Sequence, residues 1–135
     1  MKKITLISKI CKEYPQNLLK LSDTPDILFA IGNVSLLNTF SIAVVGSRNY
    51  TLDGKGITMQ ITKDLVRQGI TIISGMARGI DTIAHKAAID AGGNTIAILG
   101  CGFSIVEYQK IYTQILENNR INNKRISSRC PSFQI

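Results

Sequence analysis

Two short segments of this 135-residue chain combine glycine, a hydroxyl and a guanidinium in the way an anion site requires. They are Gly46-Ser47-Arg48 and Ser74-Gly75-Met76-Ala77-Arg78-Gly79. Glycine lets backbone N–H groups approach a ligand closely. A helix that begins just after such a turn adds a partial positive charge. Arginine contributes a planar fork of donors that matches phosphate geometry. A third turn, Gly100-Cys101-Gly102, offers glycine alone. Any one of these glycines could serve only a tight turn. Two turns carrying both Ser and Arg make an anion site, phosphate first, the better reading.

The remaining reactive side chains make no case for catalysis. Asp81 opens a helix, where a carboxylate caps N–H groups and suits the dipole. His85, the single histidine, follows at i+4, so an Asp81–His85 contact holding one tautomer is feasible. No serine or cysteine nucleophile is paired with it, and a structural role amid alanines is the plainer reading. Cys101 reads as a small buried residue. Cys11, Cys101 and Cys130 lie far apart without a CxxC pair, which argues against zinc or a disulfide framework and fits a reducing cytoplasm. No carboxylate pair and no metal-ligand spacing is present, and no cofactor is expected.

The elements that must position these turns alternate. SIAVVGSRN gives a strand at about residues 42–45, closed by Gly46. Residues 53–68 read as a helix, with Ile57, Ile61 and Leu65 recurring at four-residue spacing between charges, and Gly69 ends it. ITII at 70–73 is a continuous β-branched run, the pattern of a strand covered on both faces. Ile80, Ile83, Ala84, Ala87, Ala88 and Ala91 keep helical spacing up to Gly92-Gly93. TIAILG at 95–100 is another buried strand, and residues 106–118 a further periodic segment. Strand–helix alternation with short links implies βαβ units, a parallel sheet and right-handed crossovers. In such sheets ligands bind outside the carboxyl ends of the strands, where all three glycine turns arrive. Before this unit, DILFAIGN reads as a short strand ending in a turn.

Composition sets wider bounds. The chain is 44% hydrophobic and 19% charged, with no Trp, and its length fits one domain or part of one. No apolar run nears the roughly 20 residues of a membrane span, and Lys9 and Lys12 interrupt the N-terminal apolar stretch, so no signal peptide is expected. The net charge of +7 points toward a polyanion, but it is unevenly placed. The last sixteen residues hold Arg120, Lys124, Arg125 and Arg129 and no acid. The other 119 hold twelve basic and nine acidic side chains. The tail has no clear period and is expected to be disordered.

IAVVGSRNYTLDG and ISGMARGIDTIAHKAAIDAGGNTIAILGCG closely resemble the DprA/Smf DNA-processing proteins of bacteria, and EYPQNLLKLSDTPDILFAIGN is similar to that family's lead-in. The resemblance covers residues 13 to about 118. The SG-x-A-x-GID-x-x-AH block, with VGSR some thirty residues earlier, is far more specific than a lone glycine motif. The resemblance implies an α/β, Rossmann-like (three-layer α/β/α), mostly parallel sheet, incomplete here on its C-terminal side. It gives a lead-in segment over 1–40 packing on the core, a partial core over 41–119 and an unrelated basic tail over 120–135.

The implied function is binding of single-stranded DNA and its delivery to the RecA recombinase in natural transformation, without a catalytic reaction. The resemblance implies Arg48 and Arg78 as phosphate contacts, with Ser74, Gly75 and Gly79 shaping their loop; Gly46, Ser47, Gly100, Gly102 and Lys110 complete the candidate phosphate-binding set. A homodimer through the core is a further implied partner. No aromatic platform is apparent in the loops, so a sequence-independent grip on the backbone is expected.

Two readings from other classes stand beside this one. One is an enzyme on a nucleotide phosphate, like the lysine-decarboxylase-like phosphoribohydrolases, whose PGGxGT-type loop with its glutamate is missing here. The other is a non-functional remnant. The family's G-L-I-I-S-E-Y-P-P-G strand and F-P-x-R-N-R loop are absent. Codons for Arg120 to Cys130 can be chosen so that reading one nucleotide later gives GLIISEYPPG. The resulting expectation is a frameshifted, truncated product with a partly uncovered strand at 95–99, marginal stability and weak DNA binding.

Overall fold

The computed structural model describes residues 4–100 and 111–117. The lead-in begins with a two-stranded antiparallel ribbon, β1 (Thr5–Ser8) against β2 (Ile27–Ala30). Ile7 pairs with Leu28, and both turn inward with Ala30 onto Tyr14, which is fully buried. The Tyr14 hydroxyl donates to the Pro25 carbonyl at 2.7 Å, so its one polar atom is satisfied and the ring can serve as core. Leu6 and Phe29, paired on the other side, are exposed. The link to the next unit is direct. The Thr71 N–H donates to the Phe40 carbonyl, and the Thr39 and Thr71 hydroxyls meet at 2.9 Å.

The second unit holds β3 (Ser41–Ala43), α1 (Leu52–Arg67), β4 (Thr71–Ser74), α2 (Ile80–Asp90) and β5 (Thr95–Ala97). The strands are parallel in the order β3-β4-β5, with Ile42, Ile72 and Thr95 in register. Ile72 packs with Ala84 and Ala88 of α2 and with Leu65 and Val66 of α1, so both helices cover the same face of the sheet. This is the Rossmann-like arrangement expected from the alternation. Residues 111–117 are helical and set Ile111 and Ile115 against Met76 and Ala97.

Several details differ from the sequence reading. The strands run 41–43, 71–74 and 95–97 rather than 42–45, 70–73 and 95–100: β3 and β5 leave the ladder as the chain enters each turn, while β4 is shifted one residue later. The ribbon partner β1 was not foreseen at all. In α1 the buried side chains are Thr58 and Thr62, while Ile57 and Ile61 are about half exposed. The inward stripe is Thr58, Thr62 and then Leu65 and Val66, which touch the Ile72 cluster. The strand expected to be partly uncovered over 95–99 is covered along its ladder and open only at its end. Thr95, Ile96 and Ala97 are all buried, and exposure begins only at Ile98. The tail over 120–135 lies outside the described residues.

Candidate nucleic-acid interface

The turns after β3 and β4 are locked to each other before any ligand is considered. Val44 N–H donates to the Ile73 carbonyl, and the Ser74 hydroxyl donates to the Val44 carbonyl at 2.7 Å. Farther out, the Ile80 N–H donates to the Ser47 carbonyl at 3.2 Å. Gly79 caps α2 with φ +100, in the left-handed region. Any Cβ there would overlap the Ser47 carbonyl and stand 2.6 Å from Arg48 Cα. Glycine at 79 is therefore required twice, for its backbone and for the space it leaves. Gly46 has a similar reason, since its missing side chain leaves room for Ile80.

This junction brings the Arg48 and Arg78 segments to one edge of the sheet. Both arginines are exposed, and among the described residues neither forms an ion pair. Two unpaired guanidinia at adjoining turns make a cationic lip suited to phosphate. Ser47 is exposed as well, its Oγ accepting the Asn49 N–H at 3.1 Å. That bond orders the turn and leaves the hydroxyl proton available. Gly100 is exposed with open space around it. Gly102 and Lys110 lie outside the described residues.

Other assignments change. Ser74 is buried with its hydroxyl engaged by Val44, so it ties the strands together and does not face a ligand. Asp81 does not cap its own helix. One oxygen of its buried carboxylate accepts the N–H groups of Gly75 (3.2 Å) and Ala77 (3.4 Å). Those N–H groups are the ones a glycine loop would offer to phosphate, and here an internal anion already takes them. The Thr82 hydroxyl closes the same loop by donating to the Ala77 carbonyl at 2.8 Å. Met76, at φ +61, turns its side chain inward. The loop is thus pre-formed, and grip on an anion passes from backbone to arginine side chains.

His85 is structural, as the plainer reading had it, but with a different hydrogen-bond partner. Its Nδ1 lies 2.7 Å from Thr95 Oγ1, which in turn bonds the Ile72 carbonyl. The hydrogen-bond partner is β5 and not Asp81. The ring is fully buried, and burial pushes its pKa down to about 4, outweighing the favourable charge of Asp81 and the nearby Ser74 carbonyl. A neutral, enclosed imidazole holds strands and helix together.

Sequence reasoning missed a crevice of about 320 Å³ between α1 and α2, which Arg78 shares with Tyr50, Lys55 and Lys86. A signal existed: Thr82 and Lys86 stand four residues apart on one line of α2, and Arg78 sits in the turn just before that helix.

The family model for DNA recombination-mediator protein A matches residues 5–131. The chain belongs to that family. Among curated relatives, Protein Smf of Escherichia coli K12 is 43% identical over 93 residues, covering 69% of this chain and 25% of its own length. DNA processing protein DprA of Bacillus subtilis is 43% identical over 93 residues, covering 68% and 31%. The chain therefore spans about a quarter to a third of these relatives. The X-ray structure of DprA from Streptococcus pneumoniae superposes with a TM-score of 0.74 at 34% identity, covering 98% of this chain and 44% of that one. DprA from Helicobacter pylori, whose structure is described by its single-stranded DNA binding mode, gives 0.68 at 28% identity, covering 88% and 54%. Among the described residues no helix is long and apolar enough to cross a membrane.

Proposed function

We propose that this chain carries the phosphate-gripping edge of a DprA-type protein, and that it binds single-stranded DNA through Arg48 and Arg78. The observation that carries the reading is the seat of Arg48 on Gly79, which fixes the two arginine-bearing turns side by side. Two exposed guanidinia with no ion pair among the described residues fit a phosphodiester chain, and contacts to phosphate are indifferent to base sequence. The Helicobacter relative is described as a single-stranded DNA binder, which supports the same ligand here.

Binding and not turnover is the role this edge fits. The lone histidine is enclosed and neutral, and the Asp81 carboxylate is spent on the loop backbone. Delivery of the strand to RecA, homodimer formation through the core and a cytoplasmic location accompany this reading as parts of the family's role. A gel-shift titration of the full chain with a short single strand tests it. Arg78→Ala should weaken the complex several-fold while far-UV circular dichroism stays unchanged. Equal affinity of the variant and the original chain would refute the assignment.

A further inference from the structure

The crevice between α1 and α2 continues from the phosphate-gripping edge, and its lining differs from that of a simple anion site. Its volume, about 320 Å³, falls at the small end of ligand pockets, about 300–1,000 Å³. The inner wall is apolar: Met59 from α1, with Ile83 and Ala87 from α2, the last two buried. The rim is basic, with Lys55, Lys86 and Arg78 set against a single acid, Asp90. Among the described residues neither lysine is ion-paired. Tyr50 joins the lining only two positions after Arg48 and remains 44% exposed. A phosphate alone gains nothing from the Met59–Ile83–Ala87 wall. A nucleotide within a strand, with a flat base on a sugar flanked by two phosphates, uses both the apolar wall and the basic rim.

We infer that this crevice seats one unstacked nucleobase of a single strand, with its ring against Tyr50 and its flanking phosphates on Arg78, Lys55 and Lys86. The inference rests on the phosphate-binding reading above and adds a base-dependent share of affinity to it. Stacking on an aromatic side chain tolerates any base, so sequence-independent binding is preserved.

The test compares two probes of equal length and charge, a base-bearing single strand and one built from abasic residues. The full chain should bind the base-bearing strand more tightly. Tyr50→Ala should weaken that complex roughly tenfold, the scale of one base–aromatic stack, and leave the abasic complex unchanged. Tyr50→Phe should keep the original affinity, which separates ring stacking from loss of the hydroxyl. Arg48→Ala should weaken both complexes alike. Equal affinity for the two strands, no effect of Tyr50→Ala, or an equal loss on both strands would each overturn the base seat. An Arg48→Ala variant that binds both strands normally would count against the phosphate reading while leaving the Tyr50 comparison to stand alone. Failure of the original chain to bind either strand would overturn both.

Discussion

Gly79 lies directly against Arg48: a carbon added at Gly79 would stand 2.6 Å from Arg48 Cα and 2.8 Å from its carbonyl oxygen. Backbone conformation compounds the crowding, since Gly79 has φ +100. Gly79→Ala should therefore cost about 3 kcal/mol or more, from strain and overpacking together. The loss should appear as a lower urea midpoint, with weakened DNA binding at temperatures where the variant is still folded. An unchanged midpoint would show that the two turns are not joined in this way.

Stability should depend on pH through His85. Its folded-state pKa is lowered from 6.5 to about 4 by burial, whereas the unfolded chain takes up a proton near 6.5. Between those values the unfolded state binds more protons, so stability rises with pH. The contribution is complete above pH 6.5 and is lost as pH falls toward 4. It amounts to about 3 kcal/mol at most. Asp26, held below its usual value by Lys9, acts only at lower pH. Urea titrations from pH 4 to 7.5 should show this slope, and His85→Gln should flatten it. The same slope in the variant would assign the effect to another group.

Thr62 offers a gain. Its hydroxyl is fully buried and has no hydrogen-bond partner among the described residues, whereas the Thr58 hydroxyl donates to the Gly54 carbonyl at 2.7 Å. Thr62→Val keeps the shape and removes an unsatisfied polar atom, so a stabilisation of about 1 kcal/mol is expected. Thr58→Val should bring none. Thermal melts of the two variants side by side check the contrast, and a destabilised Thr62→Val would point to a partner for that hydroxyl.

The parts that were legible in the sequence share a physical reason. A continuous β-branched run marked β4, and the helical spacing of the alanine-rich stretch from Ile80 to Ala91 marked α2. Gly79 and Arg78 stood out because a strand, a tight turn and a helix meet there. The face of α1 was misjudged because Ile57, Ile61 and Leu65 satisfy helical spacing as well as the buried stripe does. Threonines fill that inward stripe while the two isoleucines face solvent. The ribbon strand β1 was hidden because apolar residues fall on both of its faces, Leu6 outward and Ile7 inward, which blurs the alternation. Asp81 looked like a helix cap because its position in the first turn is the same whether it serves the helix or the loop before it. Only the fold of Gly75 to Ala77 back toward that carboxylate decides the matter.

The most direct test of the central claim is the salt dependence of single-strand affinity, measured for the full chain and for Arg48→Ala with Arg78→Ala. Each phosphate contact contributes about 0.7 to the slope of log affinity against log salt on single strands. The double variant should bind more weakly at low salt and show a slope shallower by about 1.4. A double variant with the original affinity and slope would contradict the account, because the lip made by Arg48 and Arg78 would then not be where the strand is held.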